Sequence, residues 1–221
     1  MLQLFVNAEG GLTTAGYVLS GALMALFLLA GLALSGGKEK RGMSARHLAY
    51  CAMAVALAYV TSFIKPIIEM PYGGSVTLLS MLFIVLIGYW YGVRTGVMVG
   101  LAYGILQFLQ EPYFLTLFQV CCDYVFAFAA LGLAGLFRGK KNGLVIGYIV
   151  AVLARGFFHS LGGYLYWMDY MPENFPQSLK AVYPIVYNYS YLLAEGVITV
   201  IVLKIPAVAK ALERVSRSAV G

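Results

Sequence analysis

The chain has 221 residues, 62% of them hydrophobic and 11% charged, with a net charge of +6. Ordinary soluble domains carry roughly 25% charged residues, so a water-soluble fold of this length is excluded by the apolar surface it would have to leave wet. In lipid the backbone must pair within helices or a closed barrel, and apolar runs of about 17–25 residues without period-two alternation select helices.

In chain order, seven spans are predicted: 12–35, 46–64, 75–91, 94–108, 115–137, 144–166 and 182–204. The first differs from a secretory signal because residues 1–11 hold no Lys or Arg and no strong cleavage site follows. The third and fourth are short and meet at Gly92 and Val93, the pattern of a helical hairpin that does not fully span. Lys and Arg set the orientation. Lys38, Lys40, Arg41, Arg46, Arg94, Arg138, Lys140, Lys141, Lys204, Lys210, Arg214 and Arg217 fall on one side if seven helices alternate. The other side has Lys65 and Lys180, which places the N-terminus outside and the C-terminus in the cytoplasm of a prokaryotic cell. Insertion topology also accounts for the positive charge, so nucleic acid is not an expected partner.

Gly88, Gly92, Gly96, Gly100 and Gly104 recur every fourth residue, and on one helix face they let backbones approach closely. Ala52 and Ala56 form a second small-residue surface, open to internal packing or to another helix. Cys51, Cys121 and Cys122 lie in apolar spans without metal or disulfide spacing, so small apolar packing is their expected role. No metal and no cofactor is expected.

Polar residues inside a membrane are costly and ask for a partner or a purpose. Here they gather toward the outer side. Glu111 and Tyr113 precede the fifth span; Gln119 and Asp123 sit one turn apart within it. Arg155, His159, Gly163 and Trp167 climb the sixth span at every fourth residue. Tyr183, Tyr187, Asn188 and Tyr189 open the seventh, with Glu195 deeper. The tyrosines and Trp167 also suit an interfacial belt, Arg155 and Asp123 a buried pair, and Glu195 an interhelical hydrogen bond. The shared depth favours a pocket for a small, polar, aromatic and cationic molecule, since Trp and Tyr faces attract cations. No HExxH, GxSxG or P-loop is present, so catalysis and ATP hydrolysis are not expected.

Over residues 46–204 the chain resembles the thiamin-specific S component, the membrane substrate-binding subunit, of energy-coupling-factor (ECF) vitamin transporters. The resemblance rests on Gly104-Ile-Leu through Gln119-x-x-x-Asp123-Tyr124 and on Leu131-Gly-Leu-Ala-Gly-Leu-Phe-Arg138. It continues through Phe157-Phe-His159-x-x-x-Gly163-x-x-x-Trp167 and Tyr183-x-x-x-x-Asn188. It implies an all-α, six-helix core with thiamin near the outer face. It further implies ligand contacts from Tyr113, Asp123, Tyr124, His159, Gly163, Trp167, Tyr183 and Asn188. Asp123 stands where relatives often carry Glu. Docking of a transmembrane coupling subunit would fall on Ala52 and Ala56, and two ATPase subunits would supply the energy. The division implied is an extra N-terminal helix and basic linker (1–45), the six-helix domain (46–204) and a basic tail (205–221). An S component for another vitamin or a thiamin precursor, an intramembrane acid–base enzyme and a stand-alone proton-coupled carrier are the competing readings.

Overall fold

The computed structural model describes residues 44–221 except 67, 68, 71 and 72, together with a few positions between 13 and 22. The span expected at 12–35 lies outside the described residues. Helix α1, Ala45–Ser62, opens on Ser44, whose hydroxyl accepts from the His47 N–H at 3.2 Å and satisfies one of the first-turn donors. Its buried residues, Cys51, Ala54, Ala58 and Ser62, follow a helical period. Leu48, Met53, Leu57 and Val60 are left exposed on the far side, as lipid permits.

Helix α2, Ser80–Tyr91, is the centre of the bundle: Met81, Ile84, Val85 and Ile87 have no exposed surface. It packs against α1 and against the next three helices. It starts five residues later than the predicted span, because Ser75 pairs with Glu69 in an isolated antiparallel bridge and Leu79 takes a left-handed φ of 61°. At 12 residues it extends only about 18 Å, short of the hydrocarbon thickness, as expected of the hairpin's first arm. Gly92 alone joins it to α3, Val93–Gln110, at φ 98°, a conformation open to glycine at little cost.

Helix α4, Leu117–Phe137, contains a π-helical turn at Cys121–Phe126 and tightens to 3₁₀ geometry from Ala130. Helix α5, Gly143–Tyr170, contains a second π turn at Gly163–Trp167. Helix α6, Tyr183–Lys204, follows a 3₁₀ segment at Gln177–Val182. The segments Leu117–Phe137, Gly143–Tyr170 and Gln177–Lys204 are each long and apolar enough to cross a bilayer. The glycine stripe works in packing: a Cβ on Gly100 or Gly104 would run into the α4 backbone at Phe128 or Tyr124, and one on Gly132 into the α3 backbone at Val97. Gly92 stands apart from the stripe as the turn.

The last helix, α7, Pro206–Val220, turns back under the bundle, where the Tyr91 hydroxyl donates to the Ala219 carbonyl at 2.9 Å. The described residues form helices and loops with no named strand.

Candidate functional site

One cavity opens at the end of the bundle away from α7. Its walls are the polar ends of α3, α4, α5 and α6, with Ser62 of α1, Ser80 of α2, Lys65, residues 73–77 and the 111–116 loop. All eight residues singled out from the sequence line it: Tyr113, Asp123, Tyr124, His159, Gly163, Trp167, Tyr183 and Asn188.

Asp123 is the hub. Its Oδ2 accepts from the Gln119 amide at 2.8 Å and from the Trp167 indole N–H at 3.2 Å, and its Oδ1 lies 3.2 Å from His159 Nδ1. Asp123 and Trp167 each sit in a π-helical turn, the local widening of a helix that recurs at functional sites. Arg155 does not pair with Asp123 directly. Its Nε donates to His159 Nε2 at 3.2 Å, and its guanidinium lies 4.2 Å from the centre of the Phe128 ring. His159 therefore stands between guanidinium and carboxylate.

Aromatic rings cover much of the remaining wall. Tyr113 meets Trp167 edge-on at 6.1 Å, and Tyr170 packs against the indole at a tilt, 5.2 Å between centroids. Tyr183, Tyr187 and Tyr191, four residues apart, form a ladder down α6 with centroid spacings of 5.9 and 6.0 Å. Phe175 extends it from the loop after α5, 4.9 Å from Tyr183. Asn188 is buried, donating to the Pro184 carbonyl at 2.8 Å and accepting from Tyr191 Oη at 3.0 Å. One amide hydrogen and one lone pair remain for another partner. Gly163 lines the cavity, but a Cβ there would also meet the Pro184 side chain at 2.8 Å; its missing side chain serves the α5–α6 contact as well as the open space.

The loops are tied in by polar bonds. Lys65 pairs with Glu69 at 2.8 Å and with Glu111. Burial alone would lower the Lys65 ammonium's pKa, but hydrogen bonds and charge from Glu111 and Glu69 outweigh it and hold the value above the ordinary lysine range. Tyr124 Oη donates to the Glu111 carbonyl at 2.6 Å and accepts from Tyr113 N–H at 3.2 Å. At the floor, buried Glu195 accepts from the Thr77 N–H (3.0 Å) and hydroxyl (2.6 Å) and from the Met81 N–H (3.3 Å). It thereby satisfies donors at the start of α2, the interhelical role open to it from sequence. Gln107, Gln110 and Ser62 form a further polar cluster on the wall. Sequence reading passed over this cluster and used Lys65 for orientation alone. Two amides three residues apart near the end of an apolar helix were the available signal.

Apolar helices of bilayer length around an aromatic, charged cavity define a helical membrane protein with a small-molecule binding chamber. A sequence profile of the thiamine transporter protein family matches residues 48–214. The chain is 32% identical over 171 residues to the thiamine transporter ThiT of Bacillus subtilis, covering 69% of this chain and 83% of that protein. Its fold is similar to that of ThiT from Listeria monocytogenes, with a TM-score of 0.58 and 26% identity over 73% of this chain and 96% of the other. The chain belongs to the thiamine transporter protein family.

Proposed function

We propose that this protein is the thiamin-binding S component of an ECF-type importer, taking thiamin at the outer face and relying on a coupling subunit and two ATPases for transport. The observation that carries the reading is the Asp123–Trp167 pair. A carboxylate bonded to an indole edge holds a flat aromatic face beside a negative charge, which suits a ligand with a cationic heteroaromatic ring. Tyr113, Tyr124, Tyr183 and the spare amide groups of Asn188 surround it, and His159 and Gly163 complete the wall. Residues 46–204 form the binding unit in this proposal.

The charge distribution supports an outward-facing cavity. Arg94 at the start of α3, Arg138, Lys140 and Lys141 between α4 and α5, and Lys204 with α7 lie at the end opposite it, the end that stays cytoplasmic by the positive-inside rule. The absence of a nucleotide-binding motif from the sequence accords with borrowed ATPases. Ala52 and Ala56 are exposed on α1 while Cys51, Ala54 and Ala58 face inward, so the small-residue pair is open to a partner helix.

Calorimetric titration of the purified protein with thiamin tests the binding claim: one-to-one binding is expected, and none would overturn it. Uptake of thiamin by vesicles holding the protein without ATPases, driven by a proton gradient, would instead establish a stand-alone carrier.

A further inference from the structure

The hydrogen bonds around Asp123 run in fixed directions. The Leu115 backbone N–H, which can only donate, is 3.0 Å from Gln119 Oε1. The other end of that amide, Nε2, is therefore a donor toward Asp123 Oδ2 at 2.8 Å. The Trp167 indole N–H can likewise only donate to the same oxygen. Arg155 Nε can only donate, so His159 Nε2 accepts and the proton of the neutral ring sits on Nδ1, facing Asp123 Oδ1. Three donors thus converge on Asp123, and none of them can accept a proton from it. The arrangement engages both oxygens of Asp123 as acceptors.

Gln119 is the member of this set that stands outside the cavity. It is fully buried behind the wall. Thr116 Oγ1 accepts from its backbone N–H at 3.1 Å, fixing the first turn of α4. Its side chain joins the 111–116 loop, which carries Glu111 and Tyr113, to the carboxylate. We propose that Gln119 is a specificity-determining positioning residue: it holds Asp123 as a pure acceptor aimed into the cavity, and so makes the site select a cationic ligand over its neutral isostere. The inference rests on the thiamin reading above. The titratable groups facing Asp123 are His159, with Arg155 behind it, on α5, Tyr187 and Tyr191 on α6, and Cys122 and Tyr124 on its own helix.

Two variants separate this role from packing. Gln119→Glu keeps the shape and the acceptor for Leu115 but sets a second carboxylate against Asp123. Two such groups share a proton, and a bound cation drives it off. Calorimetry near neutral pH, in two buffers of different ionisation heat, reads that release. Proton release on thiamin binding, above the wild-type level, is expected from Gln119→Glu. None is expected with the isosteric analogue that has an uncharged thiophene in place of the thiazolium. Gln119→Met removes the donor, and about tenfold or greater weakening is expected for thiamin, from loss of a charge-assisted bond, with a smaller loss for the neutral analogue. Thermal unfolding of each variant in detergent establishes that it is folded. Equal weakening for both ligands in Gln119→Met, or no added proton release in Gln119→Glu, overturns the proposal while leaving the thiamin reading intact. A wild-type protein that binds no thiamin overturns that reading and the inference with it.

Discussion

In the proposed function, Trp167 and Asp123 divide the recognition of a cationic aromatic ligand between a face and a charge. Trp167→Ala removes the face together with one donor to Asp123. Its expected cost for thiamin is about 1–3 kcal/mol, on the scale of base stacking against protein aromatics. Asp123→Asn acts differently. It removes the charge, and one end of the new amide must present donor hydrogens to groups that are themselves donors, Gln119 Nε2 and Trp167 Nε1 or His159 Nδ1. Thiamin is expected to suffer more than a neutral analogue, because part of the loss is Coulombic in a low-dielectric cavity. Titration of wild type and both variants with the two ligands checks this. Equal weakening at Asp123→Asn would remove the carboxylate from charge recognition.

At the scale of elements, the helices meet through missing side chains and the loops through charges. A Cβ on Gly132 would collide with the α3 backbone at Gly96 and Val97, and neither chain can yield without separating the helices. Gly132→Ala is expected to destabilise the bundle by about 1–3 kcal/mol. Gly196 on α6 is the contrast, since the nearest atom to its Cβ position is Val152 Cγ1 at 4.0 Å. Gly196→Ala is expected to stabilise by about 0.5–1 kcal/mol through helix propensity. Opposite shifts of the unfolding midpoint in detergent check the pair. In the loops, Lys65, just after α1, is clamped to Glu111, just after α3, in the cavity lining. Its raised folded value means that the stabilisation is complete below the ordinary lysine pKa of 10.5 and is lost only as pH rises through the higher folded value. The clamp is therefore intact throughout the neutral range. Glu69 and Glu111 keep access to water, so Lys65→Met is expected to cost ~1 kcal/mol or less, a factor of about five at most in ligand dissociation rate. Stopped-flow tryptophan fluorescence measures that rate.

For the whole molecule, the proposed function assigns binding and transport to separate surfaces. The cavity takes only Ser62, the last residue of α1, from that helix, whereas Ala52 and Ala56 look outward from it beside exposed Met53, Leu57 and Val60. Ala52→Trp or Ala56→Trp is expected to leave thiamin affinity unchanged and to abolish ATP-driven uptake, because an indole holds a partner helix away from a surface that requires close approach. Titration of the detergent-solubilised variant and vesicle uptake with its coupling module separate the two effects. Full uptake by either variant would place the partner elsewhere.

Composition and hydropathy alone determined the solvent of this protein and the approximate positions of α1–α6, since hydrophobic run length is a local property of the chain; α7 lies in the 205–221 stretch read as a basic tail, which holds no such run. The four-residue spacing of Arg155, His159, Gly163 and Trp167 likewise brought their common face into view, because helical period is local too. Gly92 read as a junction for the same reason. The partnerships were decided by tertiary structure. Which polar groups at a common depth meet depends on how each helix is rotated and which helices are neighbours. Periodicity within one helix carries neither quantity. So Arg155 reaches Asp123 only through His159, Glu195 tends the first donors of α2, and Lys65 finds Glu111 across 46 residues of sequence. The π turns at Cys121–Phe126 and Gly163–Trp167 change the local register of α4 and α5, and in that register the indole of Trp167 meets the carboxylate of Asp123. A pattern drawn at 3.6 residues per turn has no place for that extra rotation.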